Sequence, residues 1–72
     1  MLPFKKLTVH YFFPANRFYK AKLEQNNQIS TLSHEETLKL IASTTWTSTE
    51  SKQVNDNKRS LIEKTYLLSM AP

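Results

Sequence analysis

From Lys5 to Phe13 apolar and polar positions alternate. Leu7, Val9, Tyr11 and Phe13 fall on one side, and Lys6, Thr8, His10 and Phe12 on the other, the period expected of a strand with one buried face. Arg17 to Gln25 repeats the pattern, with Tyr19, Ala21 and Leu23 on one side and Phe18, Lys20, Lys22 and Glu24 on the other. Between them Pro14-Ala15-Asn16 suits a three-residue turn, because proline presets φ and asparagine tolerates the left-handed position that ends such a loop. Residues 5–25 are therefore expected to form a β-hairpin. The turn sets its register: Phe13 opposite Arg17, Phe12 opposite Phe18, Tyr11 opposite Tyr19, His10 opposite Lys20, Val9 opposite Ala21, Thr8 opposite Lys22 and Leu7 opposite Leu23. A slip of one residue would turn every apolar side chain to the wrong face.

Asn26-Asn27 is a second turn signal, followed by a short candidate strand at 28–32. Ser33 with Glu36 three residues later is a capping-box pattern, in which hydroxyl and carboxylate each satisfy an orphan backbone N–H. A helix over about 34–42 is expected, with Leu38, Ile41 and Ala42 on its inward stripe. Helix propensity fades in the hydroxyl-rich stretch 43–49, so the helix should end near Trp46. The polar stretch 48–57, centred on Asn55-Asp56-Asn57, reads as an exposed, mobile loop. Residues 60–70 fit both a strand and a helix. Strand is preferred, because Lys58 and Arg59 would oppose the dipole at a helix start and a long strand would complete a sheet around the hairpin. The expected fold is thus α+β: a small antiparallel sheet, hairpin 5–25 plus C-terminal strand 60–70, packed on one helix at about 34–42, in a single small domain of 72 residues.

Composition removes function classes. Without glycine the chain cannot build a glycine-rich phosphate loop or a nucleophile elbow, which need backbone approach or positive φ without a Cβ. Without cysteine it has no disulfide and no thiolate metal site, which fits a reducing, cytoplasmic setting. The basic pair and apolar run near the start are too short and too interrupted for a secretory signal, and nothing approaches the ~18–20 apolar residues that span a bilayer. No membrane partner is expected.

The inventory for catalysis is thin. His10 faces Lys20 with no carboxylate in view, and His34 lacks a second histidine at helical spacing for a metal. Hydroxyls in 43–51 have no base beside them. No enzyme activity, cofactor, metal or small-molecule substrate is expected.

Charge and aromatics are unevenly placed. Residues 1–22 hold five cations and no acid, against five cations and six acids in 23–72, and six of the eight aromatics lie in 1–22. In the expected register Phe12 and Phe18 form an outward pair among Lys6, His10, Lys20 and Lys22. With Lys5 and Arg17 these residues make the candidate binding site. Two readings follow. One is a regulatory or inhibitory module that binds a partner protein, or a second copy of itself, through this face. The other is a single-stranded nucleic-acid surface, where rings stack bases and cations meet phosphates. Protein contact is preferred, since no nucleic-acid motif is present. In length, basic hairpin and lack of enzyme motifs the chain is similar in type to small accessory proteins of phages and other mobile elements, and no motif or residue carries over from that likeness.

Overall fold

A computed structural model describes residues 4–69. Strands β1 (Phe4–Phe12), β2 (Arg17–Gln25) and β3 (Gln28–Leu32) are followed by helix α1 (His34–Ser43) and strands β4 (Ser48–Asp56) and β5 (Arg59–Ser69). All five strands join one antiparallel sheet in the order β3-β2-β1-β5-β4. The class is α+β as expected, with more sheet than alternation alone indicated. The expected strand at 60–70 is β5, with Met70 outside the described residues, and its neighbour is β1, so β1 and β5 lie side by side at the centre.

The stretch 48–57 corrects the expected loop: its residues are exposed, but as edge strand β4 rather than loop. Polarity misled because an edge strand facing solvent need not alternate. The same correction moves the turn to Asn57-Lys58. With Asn26-Asn27 it forms one of two two-residue hairpin turns in which both residues have positive φ, as such turns require. Asparagine thus does the work of the absent glycine, helped at one place by Lys58.

The hairpin register holds from Lys6↔Glu24 to His10↔Lys20 and then shifts. Tyr11 pairs with Phe18 and Phe12 with Arg17, leaving Tyr19 as the extra residue of a β-bulge. A bulge sets two consecutive residues of one strand against one of its partner and re-aims the side chains beyond it. The first turn is correspondingly longer than expected. Phe13 leaves the β1–β2 ladder, stands half-exposed at the turn, and donates its N–H to Ser60 C=O at 2.9 Å.

Helix α1 lies against β2 and β3 and packs on one face of that part of the sheet. The capping box is present: Ser33 N–H donates to Glu36 Oε1 at 2.9 Å and Glu36 N–H to Ser33 Oγ at 3.1 Å. Those bonds hold the Glu36 carboxyl below its ordinary pKa. The inward stripe, however, is Thr37, Leu40 and Ile41, while Leu38 points to solvent. Thr37 can be fully buried because its hydroxyl donates to Ser33 C=O at 2.7 Å. After the helix, Trp46 Nε1 donates to Ile41 C=O at 3.4 Å, and its ring packs on Tyr66 at 5.6 Å. One unpaired carbonyl of the helix end is thereby satisfied. The core under the helix is Leu7, Val9 and Ala21, ringed by Tyr11, Phe18, Leu23, Leu32, Leu40, Ile41, Trp46 and Tyr66.

Candidate binding face

Side chains opposite one another in an antiparallel ladder share a face, so the register lays out the face opposite the helix as rows. One row crosses Lys20, His10, Glu63 and Lys52. Another crosses Thr31, Lys22, Thr8, Thr65 and Glu50, and a third Ile29, Glu24, Lys6, Leu67 and Ser48. At the end of the sheet stand Arg17, Phe12, Leu61 and Val54. Among the described residues no element covers this face.

Six of the eight candidate residues are brought together here: Lys6, His10, Phe12, Arg17, Lys20 and Lys22. Phe18 and Lys5 are not. Beyond the bulge Phe18 turns to the helix side, meeting Tyr11 edge-on at 6.2 Å and stacking on His34 at 4.6 Å. Lys5 shares the helix-side parity of Leu7 and Val9, opposite Leu68. Tyr19, expected inward, takes the outer position instead. Its ring lies 4.7 Å from Phe12, its hydroxyl accepts from Arg59 Nη1 at 3.2 Å, and Lys20 Nζ and Arg59 sit 5.2 and 5.6 Å from its centroid. Leu61 is buried to 1 % exposure on this side. The sheet end therefore presents a half-buried aromatic pair rimmed by Arg17, Lys20 and Arg59. Tyr19 and Arg59 were missed because no residue in 14–20 signals a bulge and the site of β5 pairing is set only by tertiary structure.

Electrostatically the face is mixed rather than uniformly basic. Glu63 lies opposite His10 and contacts Lys52 at 3.8 Å, and Glu24 contacts Lys22 at 3.8 Å. Burial pushes the His10 pKa below its ordinary value, Glu63 works against that shift, and Lys20 and Lys22 reinforce it. The unfolded chain then binds this proton more readily than the folded one. The neutral ring's contribution to stability is complete above the unfolded value of about 6.5 and is lost as pH falls from there through the lower folded value. Urea midpoints measured from about pH 7.5 to about pH 5 should fall in the wild type and fall less in His10→Gln. Equal slopes in the two proteins would contradict this role.

Two shallow depressions flank β1. One of about 280 Å³ lies among His10, Lys20, Lys22, Ile29 and Thr31. The other, of about 490 Å³, lies among Lys6, Glu50, Ser51, Lys52, Glu63 and Thr65. Among the described residues no three His, Cys, Asp or Glu side chains group closely enough to hold a metal ion, and no helix is long and apolar enough to cross a membrane. Fold and face together define a small α+β protein whose helix packs on one side of β2 and β3 and leaves the other side of the sheet presented. No family model, curated protein or solved structure matches the chain.

Proposed function

We propose that this is a non-enzymatic binding module, regulatory or inhibitory in kind, that docks a partner protein on its uncovered sheet face. The Phe12–Tyr19 pair with Arg59 against the tyrosine ring carries this reading. Aromatic and arginine side chains are the commonest anchors of protein interfaces, and their energy is realised when a partner completes their desolvation. The rim of Arg17, Lys20 and Arg59 favours a partner patch that is apolar at its centre and acidic at its edge. Nucleic acid is the weaker reading, because Glu24, Glu50, Glu63 and Asp56 share the face with the cations and would repel a phosphate backbone.

The test compares wild type with Phe12→Ala/Tyr19→Ala, using Leu38→Ala on the far side of the helix as control. A protein retained by wild type and control, then purified, should bind the double variant at least about tenfold more weakly. Equal affinity for all three would overturn the proposal. So would tight, steeply salt-dependent binding of a labelled single-stranded oligonucleotide that the double variant loses, since that result assigns the face to nucleic acid.

A further inference from the structure

The two sheet edges differ. β3 is five residues long and runs directly into the helix, whereas β4 has nine residues, contains no proline and is exposed everywhere except at Val54. Among the described residues its outer backbone row has no partner, an arrangement that templates pairing with another strand. Phe13 N–H donates to Ser60 C=O, so even-numbered residues of β5 turn their backbone groups to β1 and odd-numbered ones to β4, which makes Asp56 and Arg59 a hydrogen-bonded pair. Counting back from it, Val54, Lys52 and Glu50 direct their backbone groups to β5, while Asn55, Gln53, Ser51 and Thr49 direct theirs to the open edge.

We infer that two copies of the chain pair antiparallel through β4, about a two-fold axis at Ser51. Three symmetric registers pair at least seven residues of each copy, over 48–54, 48–56 or 50–56, with centres at Ser51, Lys52 and Gln53. A centre at Lys52 sets that ammonium against its own copy, and a centre at Gln53 sets Glu50 against Asp56. Only the Ser51 centre opposes unlike charges, placing Glu50 against Lys52 twice over. It also aims Ser51, Thr49 and Gln53 at one another's free backbone groups, so ladder and charges agree. Glu50 has no ion-pair partner among the described residues, and Lys52 already contacts Glu63 at 3.8 Å. Pairing would therefore extend a line of alternating charge from Glu63 through Lys52 to the second copy's Glu50. The axis stands perpendicular to the sheet, so both uncovered faces come to lie on one side of a continuous ten-stranded sheet. This pairing does not depend on what docks on that face.

Sedimentation from about micromolar to about millimolar protein reads the association, with a rise toward twice the 8.4 kDa protomer mass expected. Glu50→Lys should remain folded by circular dichroism and stay monomeric, and Glu50→Lys/Lys52→Glu should associate again. Because the chain lacks cysteine, Ser51→Cys supplies a single thiol opposite its own copy. The ~5.5 Å Cα separation of a hydrogen-bonded antiparallel pair lies within disulfide reach. Mild oxidation should cross-link Ser51→Cys at least about tenfold faster than Gln53→Cys, whose thiol would face Thr49. A wild type monomeric throughout, equal cross-linking of the two thiols, a dimer that survives Glu50→Lys, or failure of the charge-swapped pair to associate would each overturn the inference.

Discussion

Leu7→Ala is expected to leave much of the protein unfolded at room temperature. The fully buried apolar side chains among the described residues are Leu7, Val9, Ala21 and Leu61, and Leu7 lies at the centre of the sheet, between Leu23 on β2 and Tyr66 on β5. Truncating a buried leucine costs about 2–5 kcal/mol, the larger values where the surroundings cannot collapse into the cavity. The flanking ladders hold β1 on both sides, which limits collapse. A domain of this size rarely has more than ~3–5 kcal/mol of net stability, so the loss is of the same order as the whole. Urea unfolding followed by circular dichroism should show a wild-type transition and, for the variant, little or no folded baseline. A variant within about 1 kcal/mol of wild type would mean that the helix does not pack on this face.

Phe18→Ala and Tyr19→Ala should differ in the order opposite to the one simple alternation suggests. Alternation carried unbroken from Ala21 puts Tyr19 in the core and Phe18 outside. The bulge exchanges them, so Phe18 lies between Tyr11 and His34 under the helix end and Tyr19 lies on Phe12 at the surface. Loss of the half-buried Phe18 ring should cost roughly 2–3 kcal/mol, somewhat below the range for a fully buried phenylalanine. Tyr19→Ala should cost about 1 kcal/mol, comparable to one aromatic pair. Equilibrium unfolding of the two variants side by side measures the order. If Tyr19→Ala proves the more destabilising, the register is unshifted and the candidate face reverts to Phe12 and Phe18.

Much of the architecture could be read from local chemistry. The pairing of Leu7 with Leu23 and of His10 with Lys20 follows from two alternating segments. The start of the helix follows from Ser33 and Glu36, and the β2–β3 turn follows from Asn26-Asn27. Most of the failures share a cause, a partner distant in the chain, whereas that of Thr37 is local. β4 is polar on both sides because it lies at an edge, so only its pairing with β5 identifies it. Thr37 is inward because Ser33 C=O takes its hydroxyl, and nothing about a threonine announces that bond. Glu63 faces His10 only once β5 has docked on β1, which is why the histidine had no visible carboxylate. For the candidate face, six of the eight hairpin residues were legible; Tyr19 and the contribution of β5, Arg59 and Leu61, were not.

The central pairing of β1 with β5 also has a kinetic consequence. Phe4 lies opposite Ser69, so the ladder that unites the two halves closes a loop of nearly the whole described chain. Loop-closure entropy must be met before those contacts form, and sheets dominated by such distant pairings fold in the millisecond-to-second range. Until then, the β1–β2–β3 meander exposes the long edge of β1, with Leu7, Val9 and Tyr11 along it. Docking of β5 is therefore the step that both completes the fold and closes its most aggregation-prone edge.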